Sequence, residues 1–374
     1  MSKEKILQRI EERLGVCNIQ KMLANLPPKD FQSLLLYIYE QRACKETVAT
    51  ILQRSAVNRF IKPSAVSQRK LVNFDQVAYG ILSDDYEAIE LSPVMPFGLN
   101  AVLAGTNQKN IASTVRGVEV IADPTTALSI ECAKRRTELI KLGLNDIVRL
   151  ATSQRVLRLQ CFDDIPGFRP HFKIFALACS GTTKERWQFV IEVLHEHLVY
   201  YFSLFEALTS DGYSFHDVTV FISDIRITEA LIEYFHLDRV TLGRETQSVD
   251  FCPFSERECE LPAVTAAVSI LNEHMLSRYK IRYFIAELKH LEVMLASLRD
   301  RFPTVHFCFD LHRIAGIGYY QDVCFKIIAT NRHSDVYPLV DGGTTNWTGQ
   351  LLQSKAEQFF ISGIGTEITC QRFR

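Results

Sequence analysis

Few side chains in this sequence have the types and spacing that catalysis or metal binding demands. His195-Glu-His197 sets two imidazoles two positions apart inside a helical run. On a helix that separation is about 200°, so the pair cannot share a metal as an i,i+4 pair would. One buried and one exposed histidine is the expectation. Cys252 and Cys259 lack zinc spacing and have no second half-site, so no metal centre is expected. Gly342-Gly343-Thr344-Thr345 is glycine-rich but lacks the strand–GxxxxGK–helix setting of a phosphate loop. It reads as a turn, either at a pocket or as a plain tight turn, since glycine serves both. Tyr319-Tyr320 opens an expected strand and offers either packing area or a ligand contact. Lys134-Arg135-Arg136 reads as a solvated helix face. Leu198–Phe205 is apolar nearly all round a helix, which fits burial on both sides or a subunit or partner interface.

The chain has 374 residues, enough for about two domains or one large domain with an appendage. A 47% apolar and 23% charged composition excludes wholesale disorder. The 42 Lys and Arg balance 43 Asp and Glu, for a net charge of −1. Such balance gives no global footprint for nucleic acid or an anionic membrane, and neither is an expected partner. No apolar run reaches the roughly 18 residues that span a bilayer. The first fifteen residues are charged and helical in pattern, without a signal-peptide core. The ten cysteines are scattered, with no CxxC pair. They read as reduced, buried thiols of a cytoplasmic protein.

The elements that would position these groups fall into two parts. Residues 1–65 read as a small helical module with one buried face. Ile6, Ile10 and Leu14 form one stripe, Asp30 is the expected N-cap of a helix over Phe31–Arg42, and a further helix covers Lys45–Arg54. Lys62–Lys70 is polar, contains proline and reads as a linker. Residues 71–374 mix strands and helices. Strands are expected at Tyr86–Pro93, Val118–Ala122, Arg155–Phe162, Phe172–Cys179, Asp217–Ser223, His306–Asp310, Asp322–Ile328 and Gln358–Gly363. Helices are expected at Thr125–Leu142, Glu185–Leu208, Thr228–Phe235, 262–279 and 281–300. Strands grouped in hairpins with helices between them predict an α+β fold, a mostly antiparallel sheet flanked by helices.

From residue 71 onward the order of segments resembles the class II catalytic core of histidyl-tRNA synthetase. It also resembles that enzyme's non-catalytic relative, the regulatory subunit of ATP phosphoribosyltransferase. Tyr86–Pro93 is similar to the dimer-forming first motif. Cys161–Phe175, with Phe162 and Phe175, has the spacing of the strand–loop–strand second motif. Phe309–Phe325, with Gly316 and Tyr319-Tyr320, is similar to the histidyl-specific segment. Val340-Asp-Gly-Gly343 followed by Phe360–Glu367 is similar to the glycine turn and third motif. Phe221–Arg226 with its following helix matches in kind. Each stretch is weak alone; their order over roughly 300 residues carries the resemblance.

Adenylation needs cations that clamp a triphosphate while charge shifts during in-line displacement, and arginine's planar fork suits the task. At the positions where the resemblance implies the clamp and its helpers, this chain carries Asp163, Ile165, Ala315 and Thr366. The stretch that would read the substrate amino group is Asp123-Pro124-Thr125. Arg169, Lys173 and Arg313 are the cations close to the key stretches. One contact to a charged group is worth about 1.5–3 kcal/mol, and 1.36 kcal/mol is tenfold in rate. Loss of three such clamps predicts no aminoacylation by the family's mechanism. The chain ends at Arg374, just past the third motif, so no anticodon-binding domain is expected.

The sequence therefore predicts a non-catalytic, synthetase-like protein that binds a ligand or a protein in a regulatory or sensor role, with no cofactor. The expected pocket comprises Thr125, Thr126, Arg169, Lys173, Arg313, Tyr319, Tyr320, Gly342, Gly343 and Thr344. A homodimer is implied by the resemblance alone. A small metabolite and a protein docked on the N-terminal helices are the other expected partners. An ATP-dependent amino-acid activating enzyme with a rebuilt site and an RNA-binding protein are the alternatives.

Overall fold

The computed structural model describes residues 3–160, 169–238, 242, 253–254 and 257–374. A nine-stranded sheet runs through the chain from residue 87 onward. Its strands are β1 (Glu87–Ala88), β4 (Val148–Leu157), β5 (His171–Gly181), β6 (His216–Asp224), β7 (Val264–Thr265), β8 (His306–Asp310), β9 (Val323–Thr330), β10 (Val336–Thr345) and β11 (Gln358–Gly365). The order is β1-β4-β5-β11-β10-β9-β6-β8-β7. Only the β1–β4 and β6–β8 pairs are parallel. The sheet is the mostly antiparallel one the sequence predicts. β2 (Val94–Pro96) and β3 (Val118–Val120) form a separate two-stranded sheet.

Strand alternation makes two cores, because successive side chains leave opposite faces. Phe175, Leu177 and Cys179 of β5 and Phe360 and Ile364 of β11 point to one layer. Ala176 and Ala178 of β5 and Phe359 and Ile361 of β11 point to the other. The first layer is filled by α8 (Arg186–Ser210) and its neighbours α5 (Gln68–Gly80) and α11 (Arg282–Arg301). The second is covered by α7 (Pro124–Lys141), which brings Leu128 and Cys132 onto Leu150 and Trp347. In α8, Leu198, Tyr200, Tyr201, Phe202, Leu204 and Phe205 are all buried. This stripe is used up inside the chain and is not an interface.

Several sequence expectations are corrected. Gly342 and Gly343 do not form a turn; they lie in mid-β10, paired to both β9 and β11. A Cβ on Gly342 would stand 2.5 Å from the Ser362 Cβ, and one on Gly343 2.6 Å from the Cys324 Cβ. Glycine is there for close approach of three strands. Arg136 is not on a solvated face. Its guanidinium is buried against Glu357, Nε to Oε1 at 2.7 Å and Nη2 to Oε2 at 3.1 Å. Its other donors reach the Asp146 carbonyl and Asn145 Oδ1, and Ser180 Oγ donates to Glu357. Arg135 instead forks onto the Glu87 carboxylate. Residues 262–272 are not helical: Pro262 precedes β-branched Val264–Thr265, which pair with β8, and Asn272 caps the short α10 (Glu273–Arg278). Near Tyr86–Pro93 the ladder is only Glu87–Ala88, extended by an Ile89 N–H to the Ala151 carbonyl.

The N-terminal helices α1 (Lys3–Leu14), α2 (Ile19–Ala24), α3 (Pro28–Ala43) and α4 (Val48–Val57) contain no buried residue. The expected buried face is absent: Ile6, Ile10 and Leu14 are all exposed. α3 starts at Pro28, with Asp30 inside its first turn rather than capping it. The expected linker is shorter than predicted, because Gln68, Arg69 and Lys70 open α5. Cys132, Cys179, Cys324 and Cys370 are buried thiols, whereas Cys17 and Cys44 are exposed. No helix among the described residues is long and apolar enough to cross a membrane.

Gly343→Ala tests the strand packing. The added methyl should destabilise the chain by about 1–3 kcal/mol in urea unfolding, whereas Gly98→Ala, with nothing within 4 Å of its Cβ position, should show only the smaller cost of its positive φ.

Candidate functional site

β10, β11 and the loop before β9 enclose a cavity of about 600 Å³ at one end of the central strands. Its wall holds Asp123 and Thr125 from the start of α7, Arg158 after β4, Arg313 to Tyr320 from the loop, and Lys326 and Asp341 from β9 and β10. Asp123 is the N-cap of α7, accepting from the Thr125 N–H at 3.0 Å. That cap fixes the carboxylate at the cavity edge. Tyr319 Oη donates to Asp123 Oδ2 at 3.1 Å and lies 3.1 Å from the Thr125 hydroxyl.

A second group sits beside it. Arg313 Nη2 lies 2.9 Å from each Asp341 carboxylate oxygen, and its Nε donates to the Ala315 carbonyl at 2.9 Å. Tyr320 Oη donates to Asp341 Oδ1 at 2.6 Å, and the Arg313 guanidinium lies over the Tyr320 ring. Gly316, at φ +97°, makes room for that ring; its Cβ would stand 2.5 Å from Tyr320 Cδ2. Burial first, and then the neighbouring carboxylates, push both phenols well above the ordinary tyrosine range. Both therefore stay protonated donors at neutral pH.

The expected pocket is only partly gathered. Thr125, Arg313, Tyr319 and Tyr320 line the cavity together. Thr126 is buried behind it, donating to the Asn100 side chain and the Asp123 carbonyl. Lys173 leaves the opposite face of β5 from Phe172 and Ile174 and pairs with Asp75. Arg169 is exposed and is not part of the wall. Gly342 and Gly343 are in the strand, and Thr344 lines a different cavity at the other end of β10. Asp163 and Ile165 lie outside the described residues, as do Cys161, Phe162 and Cys252. Ala315 is in the wall, and Thr366 is fully buried.

Arg158, Lys326 and Asp341 are the residues sequence reasoning missed. Arg158 Nη2 faces Asp123 Oδ2 at 3.4 Å, its Nε donates to the Ala122 carbonyl, and it stacks on Phe172. The available signal was the run Val148–Leu157, whose length makes one strand and puts Arg158 at its end. Reading the strand from Arg155 hid this. Each described cation of the wall thus faces a carboxylate: Arg158 with Asp123, Arg313 with Asp341, and Lys326 with Asp310 at 3.6 Å.

Beneath the cavity runs a buried polar chain. Ser362, part of the wall, meets Tyr201 Oη at 2.7 Å and His197 Nδ1 at 2.8 Å. His197 Nε2 lies 3.5 Å from Cys179 Sγ, which contacts Tyr86 Oη at 3.2 Å. Burial, with Arg149 nearby, pulls the His197 imidazole down to about 3, and burial pushes the Cys179 thiol up to about 12. Both are neutral at pH 7, which fits structural roles rather than nucleophilic ones. His197 is buried as expected, but His195 is half-buried rather than exposed. Among the described residues no three His, Cys, Asp or Glu side chains group as a metal site.

The His197 shift has a signed consequence. The unfolded imidazole gains a proton below about pH 6.5, while the folded one gains none until about 3. Stability present above pH 6.5 is therefore lost as pH falls, by up to about 1.4 kcal/mol per unit from this residue. Urea unfolding between pH 7 and 5 should show a shallower pH slope for His197→Gln than for the parent chain.

No protein-family model matches this chain, and no curated protein sequence is similar to it. Solved structures are. An ATP phosphoribosyltransferase regulatory subunit/histidyl-tRNA synthetase from Bacillus halodurans C superposes with a TM-score of 0.59 at 16% identity, over 85% of this chain and 83% of that one. A histidine–tRNA ligase subunit from Alicyclobacillus acidocaldarius gives 0.56 at 14% identity, over 84% and 97%. Histidyl-tRNA synthetase from Nostoc sp. PCC 7120 gives 0.55 at 14% identity, over 83% and 73%. The chain has the class II synthetase fold that histidyl-tRNA synthetase-like proteins and the ATP phosphoribosyltransferase regulatory subunit share.

Proposed function

We propose that this chain acts by binding, in a regulatory or sensor role, and that its cavity takes a small zwitterionic metabolite of the amino-acid kind. The pairing of every described wall cation with a carboxylate carries this reading. A triphosphate needs surplus positive charge. The wall instead offers three cations, two carboxylates of its own and two protonated phenols, a balance that suits an ammonium and a carboxylate held side by side. The likeness to a regulatory subunit supports a role linked to amino-acid or histidine metabolism. The N-terminal helices are the proposed protein-docking element, since they bury no side chain and expose Tyr37, Val48 and Leu52. A homodimer is proposed on the fold likeness.

One observation favours a second reading, an ATP-dependent activating enzyme: Arg158, Arg313 and Lys326 converge on a single cavity. Thermal-shift titration of the purified chain separates the two. A ligand at about 100 times its Kd adds about 2.7 kcal/mol, which is visible as a rise in Tm. A rise with an amino acid such as histidine, lost in Asp341→Asn and absent with ATP–Mg²⁺, is the expected result. A rise with ATP–Mg²⁺ that grows on adding an amino acid would establish the second reading instead.

A further inference from the structure

The central strands end in a second cavity, opposite the first. Asp341 of β10 and Ile361 to Gly365 of β11 border the first cavity, while Thr344–Thr345 and Gln358–Phe359 of the same strands border the second. Its volume is about 780 Å³, within the range of small-molecule sites. The wall carries Lys184, Arg186 and Lys355 and a single carboxylate, Glu357. That carboxylate is already consumed by buried Arg136 at 2.7 Å. Arg186 pairs with Asp322, but Lys184 and Lys355 hold no carboxylate among the described residues. The cavity is therefore positive, in contrast to the balanced first one.

Two buried polar atoms in the wall lack partners. Thr345 is 3% exposed and its Oγ1 makes no hydrogen bond. Gln358 Oε1 is likewise buried without one, although its Nε2 donates to Thr183 Oγ1. Leaving such groups unmade is costly, so they mark a place where a ligand or its water completes the network. The 25-residue helix α8 begins at the rim with Arg186, and its N-cap Glu185 supplies no side-chain cap. Its first-turn amides and dipole add to the attraction for an anion. The remaining wall is amide-rich, with Gln321, Asn346 and Gln350, which suits hydroxyl groups.

We infer that this second cavity binds a phosphomonoester with a hydroxyl-rich body. The phosphate lies near Lys184, Arg186 and Lys355, Thr345 donates to it, and the amides hold the hydroxyls. This does not rest on the ligand proposed for the first cavity.

The test is calorimetric titration of the full chain with a pentose 5-phosphate, inorganic phosphate and the unphosphorylated pentose. Saturable binding of the phosphorylated sugar, weaker binding of phosphate and none of the pentose are expected. Lys184→Gln with Lys355→Gln, both on exposed side chains, should weaken binding about tenfold. Thr345→Val should weaken it as well without loss of Tm, because it removes an unpaired hydroxyl. Arg158→Gln, in the first cavity, should leave it unchanged. Absence of binding by any phosphate probe overturns the inference, and so does binding that survives both second-cavity variants but is lost in Arg158→Gln.

Discussion

The close approach of β9, β10 and β11 is the constraint on which the rest of the structure depends. Gly342 and Gly343 leave no Cβ between strands whose neighbours would meet it at 2.5 and 2.6 Å. The approach brings Phe325 and Phe360 into a stack on one face of the sheet and lets Trp347 pack on Phe359 on the other. It also fixes where the strands end. Asp341 emerges one residue before the glycine pair and Thr344 one residue after it, and each stands in a different cavity. Two glycines thus set the geometry of both ends of the sheet.

Much of this was legible in the sequence. The long apolar run over Leu198–Phe205 announced a helix covered all round, by the core or by a partner, and the core covers it; the hairpin grouping of strands announced the sheet. Periodicity reports burial well because burial is a property of one element at a time. It fails where a residue's role depends on a partner far along the chain. Arg136 looks solvated in its Lys-Arg-Arg run, and only Glu357, 221 positions away, explains its burial. Gly342-Gly343 looks like a turn because glycine permits turns; the neighbouring strands that require glycine are invisible locally. Val264–Thr265 looked helical by its setting and became a strand because β8 was there to pair with it.

The candidate site was half legible for the same reason. Tyr319, Tyr320, Arg313 and Thr125 were found because they fall in segments resembling a known core. Arg158 was lost to an error in where β4 begins, and Lys173 was wrongly included because a strand's alternation turns it away from Phe172 and Ile174. The recovered residues change the electrostatic picture. The first cavity does not lack cations; its cations are neutralised by Asp123, Asp341 and Asp310. The proposal of a binding site over a nucleotide-activating one therefore rests on the pairing of the cations, not on their absence.

ATP–pyrophosphate exchange measures that difference most directly, because it detects amino-acid activation without requiring tRNA. Assayed with the full chain, Mg²⁺ and each of the standard amino acids in turn, exchange should stay at the level of a protein-free control. Amino-acid-dependent exchange above that level, abolished by Arg158→Gln, would contradict the account and show that the paired cations release their carboxylates to clamp a triphosphate.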